Sequence, residues 1–267
     1  MSQGNSFAVL KGAGRIWAIG SIHGEANRLQ ILHDLLATRL QPNDRLIYLG
    51  NYLGYGPDVI GTVNEIVSFR RAFLARPPFT NVSDFVLLRG SQEEMWQKVL
   101  QLQSAIDPIE VMTWMAERGL AATLSAYARN NNQGILDQHT SALTIAQWTS
   151  SIRDAMQAIP GHVPFMNALK RAAYTVDESL LFVNTGIDIS RPVTEQSDVF
   201  WWASKSFARI TSPYRNFTRV VRGYDPDHSG FAETEFTMTV DGGCGFGGPL
   251  VAVCLELDGT ILDRLQS

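Results

Sequence analysis

Six glycine-bounded segments hold most of the residues able to do chemistry. In chain order they are GSIHG (20–24), GNYLGYG (50–56), RGSQE (89–93), NTG (184–186), GYDP (223–226) and DGGCGFGGPL (241–250). Arg89, followed by Gly90, can hold a phosphate or carboxylate through paired N–H contacts. The competing reading is an ion pair with Glu93 or Asp241. His23, Asp225, Asp227 and His228 can form a single-cation site. Against that, their spacing is irregular, Asp-Pro is ordinary turn chemistry, and a lone His in such a loop also serves by bonding backbone. Asn51, Ser91, Gln92 and Asn184 can line a polar ligand pocket or close into a hydrogen-bonded plug. The run at 242–248 lacks the Walker lysine and a following helix, so it reads as a tight strand connection.

These segments need elements to position them. Residues 15–19, 45–49 and 84–88 are apolar runs that end at glycine or Arg-Gly, and read as buried strands. Between them, 25–40 carries Ala26, Leu29, Leu32, Leu35, Leu36 and Leu40 on one helical face. Pro57 suits the first turn of a second helix, which runs to about residue 75 and is broken by Pro77-Pro78. Strand, glycine loop and helix in alternation imply an α/β fold, with ligands gathered beyond the carboxyl ends of the strands. Residues 93–158 read as helical, with loops at 107–108 and 130–134. Further strands are expected at 179–183, 218–221, 235–240, 249–257 and 260–265. With no repeat and no evident linker, 1–267 reads as one domain and 93–160 as a helical insertion within it.

Order, spacing and flanking residues of the six segments resemble the calcineurin-like metallophosphoesterases. The closest branch is that of the bacterial serine/threonine phosphoprotein phosphatases and their diadenosine-tetraphosphatase relatives. Their pattern is G-D-x-H-G, G-D-x-x-D-R-G, R-G-N-H-E, H-A-G and G-H-T-P, then D-T-G. The resemblance implies a four-layer α/β/β/α sandwich and, in the family, two divalent cations such as Mn, Fe or Zn. Against that pattern the chemical residues differ. Ser21 and Asn51 stand at the two metal-carboxylate positions, and Gly54-Tyr55 replaces the Asp-Arg pair. Ser91 replaces an Asn ligand and Gln92 the catalytic His, while Asn184 and Tyr224 replace the two later His ligands. His23, Arg89, Glu93 and Asp241 match.

Two divalent cations about 3.5–4 Å apart need a bridging carboxylate and other anionic or imidazole ligands. One imidazole, two amides, hydroxyls and a phenol do not neutralise four positive charges. Glutamine cannot transfer a proton. The expectation is therefore a pseudo-phosphatase with no catalytic residues and no bound cofactor, acting as a protein-binding or regulatory subunit. The relic site is Ser21, His23, Asn51, Arg89, Ser91, Gln92, Asn184 and Tyr224. Any remaining ligand contact would fall to Arg89, His23, Asn51 and Asn184, and any remaining metal to His23, Asp225, Asp227 and His228. The alternatives are a residual metal-dependent phosphoesterase, of the serine/threonine protein phosphatase kind, and a phosphate or nucleotide sensor.

The chain has 267 residues, a net charge of −4 and 45% hydrophobic residues, which excludes a disordered chain and a basic nucleic-acid binder. No run is long and apolar enough for a membrane span. No signal-peptide order opens the chain. Cys244 and Cys254 fit neither a disulfide framework nor a zinc site. A cytoplasmic protein is expected. Charged residues are 18% of the chain against roughly 25% in ordinary domains. Residues 119–152 hold only Arg129 and Asp137. That neutral stretch reads as a buried helix pair or as the surface that docks a protein partner. Of the adjacent Trp201 and Trp202, one is expected to face outward.

Overall fold

Short apolar runs become strands, and alternate burial of their two faces sorts them into layers. The computed structural model describes residues 6–77, 81–128 and 141–267. Its strands are β1 (Phe7–Leu10), β2 (Ile16–Ile19), β3 (Arg45–Tyr48), β4 (Phe85–Leu87), β5 (Ala172–Thr175) and β6 (Leu180–Val183). They continue as β7 (Arg219–Arg222), β8 (Ala232–Glu233), β9 (Thr237–Thr239), β10 (Val251–Leu255) and β11 (Ile261–Gln266). One sheet runs β1-β5-β6-β7-β9-β8 and the other β11-β10-β2-β3-β4. Within them, β2-β3-β4 and β6-β7-β9 are parallel sets.

The period of two along each strand builds the core. Ile16, Ala18, Ile47, Leu49, Val86, Val253 and Leu255 face Leu180, Phe182, Val221 and Met238 between the sheets. Trp17, Ile19, Leu46, Tyr48 and Leu87 take the opposite parity. They pack under α1 (Ala26–Arg39), α2 (Val59–Leu74) and α3 (Ser91–Val99). On the far side, Leu181, Val183 and Val220 meet Phe200, Trp201, Phe207 and Tyr214. Each such side chain contributes roughly 1.5–3 kcal/mol of burial. The result is a four-layer α/β/β/α sandwich.

The helical stretch resolves into α3, α4 (Pro108–Met115), α5 (Ala121–Ala128) and α6 (Ala142–Gln157). It is followed by α7 (His162–Ala168), and α8 (Val199–Trp202) and α9 (Ser204–Phe207) come later. The segment is less continuous than expected. Arg118 and Gly119 leave helical geometry between α4 and α5, with Gly119 at φ +98°. The expected loop at 130–134, and Arg129 and Asp137, lie outside the described residues. What is described of the neutral stretch is half core. Thr123, Leu124, Tyr127, Ile145, Trp148 and Ile152 are buried, so part of the charge shortage follows from packing.

Elements not anticipated are β1, β5, β8, α7 and α9. FAVL and AAYT are only four residues each, and AAYT ends at no glycine, so neither stood out beside the longer apolar runs. The second helix starts at Val59, two residues after Pro57. Asp58 is its cap, accepting from the Gly61 N–H at 2.7 Å. No described helix is long and apolar enough to cross a membrane.

Candidate functional site

The carboxyl ends of β2, β3, β4, β6 and β7 converge, and backbone contacts weld their loops. Ser21 N–H donates to Gly223 O, and His23 N–H to Asn51 O at 2.8 Å. At Gly50 the chain needs φ +93°, and a β-carbon there would sit 2.7 Å from the Gly90 nitrogen. Only glycine lets the second and third loops approach this closely.

Glu93 is the knot beneath these loops. Its carboxylate is fully buried and accepts four backbone N–H groups. They come from Asn51 at 2.9 Å, Tyr52 at 2.8 Å, Leu53 at 3.0 Å and Gly90 at 2.8 Å. Burial pushes its pKa up, while the four N–H groups pull it back.

The residues at the expected metal-ligand positions bond to each other. The Asn51 amide oxygen accepts from Ser91 Oγ and the Gln92 N–H, both at 3.1 Å, and its nitrogen donates to Ser21 Oγ at 3.3 Å. Asn184 donates to Leu49 O at 2.7 Å, and its oxygen accepts from Ser91 N–H at 3.3 Å and Thr185 Oγ1 at 2.9 Å. Ser21, Asn51, Ser91, Gln92 and Asn184 are all buried. Of the two readings open for this set, the polar pocket and the closed plug, the geometry is that of the plug.

His23 is the unusual member. It is 1% exposed, and no side chain bonds either ring nitrogen, the Leu53 backbone being the one group that favours a proton there. Tyr55, Tyr224 and Phe246 surround it edge-on, with ring centroids 5.3, 5.2 and 5.3 Å away. Desolvation by this box, with His228 nearby, lowers its pKa to about 3. Burial also raises the Tyr55 and Tyr224 phenols, so both stay protonated.

The remaining candidates divide. Arg89 Nη1 pairs with Glu94 Oε2 at 3.2 Å, and its guanidinium lies 5.8 Å from the Trp201 ring centroid. The ion-pair reading therefore holds with a different partner, Glu94 in place of Glu93 or Asp241. Glu93 is spent on the loops. The Asp241 carboxylate accepts from Asp225 N–H and Gly243 N–H, each at 2.8 Å. Asp225 pairs with Arg222 at 3.1 Å, His228 sits 3.7 Å from Asp241, and Asp227 is exposed. Phe246 stacks on His228 at 3.7 Å and also touches His23. Trp201 is buried and Trp202 is 38% exposed, as adjacent residues must divide.

The residues in place of the catalytic His and the Asp-Arg pair have a second use. Gln92 Nε2 donates to Arg118 O at 2.7 Å. Tyr55 N–H donates to Gly119 O at 3.2 Å, and Gly54 N–H to Thr123 Oγ1 at 3.0 Å. These three bonds fasten the α4–α5 kink onto the loops. The Tyr55 ring lies on Gly119, where a β-carbon would meet it at 2.4 Å. Nothing in the motifs announced this clamp. The single signal was a lone glycine inside a helical stretch.

Replacing Gly119 with Ala is expected to cost about 2–4 kcal/mol, combining left-handed strain with a ring clash. A fall in the urea midpoint with an unchanged slope checks this. A midpoint within error of the parent would show that the kink is not clamped.

Comparison with solved structures places this arrangement. The chain aligns over 98% of its length with 98% of a solved structure described as "a putative diadenosine tetraphosphatase", at 17% identity and a TM-score of 0.60. Weaker likenesses include a Saccharomyces cerevisiae protein serine/threonine phosphatase, at 12% identity, 94% and 77% coverage and a TM-score of 0.47. Another is a metallophosphoesterase from Sphaerobacter thermophilus, at 14% identity, 96% and 88% coverage and a TM-score of 0.46. No family model and no curated protein matches the chain. The likeness is one of fold: the chain shares the architecture of the structure described as a putative diadenosine tetraphosphatase.

The resemblance of the six segments implies divalent cations, and this donor set does not fit them. The Asn51 and Asn184 oxygens are already engaged, Glu93 is saturated by N–H groups, and the Tyr224 phenol is held neutral. Among the described residues, no group of three or more His, Cys, Asp and Glu is arranged to hold a metal ion.

Proposed function

We propose that this chain is a catalytically inactive protein of metallophosphoesterase fold that works as a protein-binding or regulatory subunit. It is read as one domain, 1–267, carrying the helical insertion 93–160. The observation that carries the reading is the plug. Asn51 and Asn184, at two expected ligand positions, spend their amides on Ser21, Ser91, Gln92 and Leu49, all within the protein. Without a metal nothing brings the pKa of an attacking water near neutrality, and Gln92 has no proton to give a leaving group. Arg89, at the position the resemblance gives to a phosphate contact, pairs with Glu94, a carboxylate that Lys98 shares. What remains of the site is a buried, hydrogen-bonded set of loops, which suits a scaffold for recognition.

The test is metal content and hydrolysis measured on the same folded protein. After incubation with Mn, Fe or Zn and desalting, no stoichiometric metal is expected. No turnover of p-nitrophenyl phosphate or diadenosine tetraphosphate above a heat-treated control is expected either. Near-stoichiometric metal, with hydrolysis abolished by His23→Ala, overturns the proposal in favour of a residual phosphoesterase.

A further inference from the structure

Both sheets end on one side in outermost strands, β1 and β4. The backbone at Lys170 joins that side: its N–H donates to Leu87 O at 2.8 Å, and its carbonyl accepts from Arg89 N–H at 2.7 Å. Between the two strand edges lies a cavity of about 400 Å³, walled by Phe7, Val9, Val82, Phe85, Leu87 and Ala168. Val82 is 61% exposed, so part of this apolar wall reaches the surface. A second cavity, of about 270 Å³, continues past Ile66, Val67, Pro164 and Phe165. Arg70, Leu87 and Ala168 line both, so the two are arms that meet at these residues. The larger arm alone falls within the roughly 300–1,000 Å³ of a small-molecule site.

The charge in these walls has one sign. Arg70 lines both arms, Lys170 the larger and Arg71 the smaller, and no Asp or Glu lines either. Arg70 Nε is buried without an acceptor, and among the described residues no carboxylate pairs with its guanidinium. The acids of the neighbouring elements are engaged elsewhere. Asp58 caps α2, Glu65 pairs with His33 at 2.6 Å, and Asp84 pairs with Arg45 at 2.9 Å. Ser83 is the one neutral polar side chain in the walls, and its hydroxyl donates to Asn81 at 3.1 Å.

Such walls select on two properties at once. A neutral hydrocarbon would leave the Arg70 Nε without its acceptor. A sugar or nucleotide would press its hydroxyls and base N–H groups against Phe, Val and Leu side chains, at a desolvation cost. A cationic amphiphile would meet three like charges. A flexible apolar chain ending in an anion satisfies both demands. Its head takes paired N–H groups from the guanidinium fork, and its methylenes leave water for the apolar wall.

We propose that this two-armed cavity binds a single-chain amphiphile with an anionic head, a fatty carboxylate or an alkyl phosphate. The head meets Arg70 where the arms join, and the chain lies in the larger arm against Phe7, Val9, Phe85 and Leu87. No residue of the strand-end loops lines either arm, so this site is separate from the plug and independent of the function proposed above.

The test titrates the full chain with decanoate, below its micelle concentration, by isothermal calorimetry. Saturable binding is expected. Each methylene removed, down to octanoate, weakens it by up to about fourfold. Arg70→Gln keeps much of the side chain's bulk but loses the charge. It weakens decanoate about tenfold or more and leaves the binding of decanol unchanged. Ala168→Leu fills the junction and weakens both ligands. The fully exposed Ile106→Ser control changes neither. Urea midpoints confirm that each variant is folded. Decyl phosphate in a parallel titration separates the two heads, and the tighter of the two anions names the ligand. Absence of saturable binding by both anions overturns the proposal, as does full affinity in Arg70→Gln or Ala168→Leu. So does equal affinity for decyltrimethylammonium, which would leave the cations without a role. An apolar tripeptide binding as tightly as decanoate would assign the site to a peptide terminus and also overturn it.

Discussion

Acidification is expected to destabilise the protein through one buried imidazole, and His23→Phe should remove that sensitivity. His23 is neutral in the fold, with its pKa lowered from 6.5 to about 3 by burial in the Tyr55, Tyr224 and Phe246 box. The unfolded chain takes up a proton near 6.5, and the folded one resists until about 3. Stability is therefore fully present above 6.5 and is lost as the pH falls toward 3. The loss is on the order of 3–5 kcal/mol. His33 and His162 are also lowered by burial and act with the same sign, so the parent-minus-variant difference isolates His23. Near neutrality the variant should match or exceed the parent, because a buried imidazole without a side-chain partner costs about 1–3 kcal/mol. Urea unfolding between about pH 7 and pH 4 decides it. The parent's midpoint should fall more steeply, whereas parallel curves would falsify the neutral, boxed histidine.

The histidine could be found in the sequence, but its box could not. Loops bounded by Gly20, Gly50, Gly90, Gly186 and Gly223 were legible because each follows a short apolar run, and a buried strand leaves that mark. The layer order came instead from the resemblance those loops carry. Tyr55, Tyr224 and Phe246 come from three loops far apart in the chain, and only tertiary closure brings their rings around His23. Arg89 shows the same limit. An ion pair was foreseeable, but the choice of Glu94 depends on the turn of helix after Gly90, which leaves Glu93 pointing into the loops. The neutral stretch at 119–152 was open to two readings, a buried helix pair or a docking surface. Its described buried face is helix core, and the exposed aromatic surface lies at Trp114 and Trp202. Gln92 and Tyr55 were legible as losses of catalytic chemistry. Their use as fasteners for the Arg118–Gly119 kink was not, since hydrogen bonds to a helix backbone leave no trace in residue type.

Taken together, these contacts explain why the loop architecture can persist without metal. In a metal site, cations neutralise and bridge the ligands of separate loops. Here Glu93, Asn51 and Asn184 do the bridging by hydrogen bonds, and the aromatic box fills the volume above them. The loops are therefore held by groups that a single substitution can remove, and Glu93 is the most exposed to that test.

Glu93→Ala is expected to be the most damaging single change to the site. It strands four buried N–H groups on two loops, each worth about 1–3 kcal/mol when unpaired. Water entering the vacated space offsets part of this, leaving a net cost of about 3–5 kcal/mol. Glu93→Gln keeps the volume and one acceptor but turns an NH₂ group toward N–H donors, so a cost of about 2 kcal/mol is expected. The pH signature separates this effect from that of His23. Because burial raises the Glu93 pKa, the parent's advantage from this group is complete below about 4.5 and shrinks as the pH rises through the folded value. The Ala variant should thus fall furthest behind its parent in acid, while His23→Phe should gain on the same parent there. Urea midpoints of both variants across that range test the pair. A Glu93→Ala protein as stable as its parent would mean that the loops are held by something other than this carboxylate.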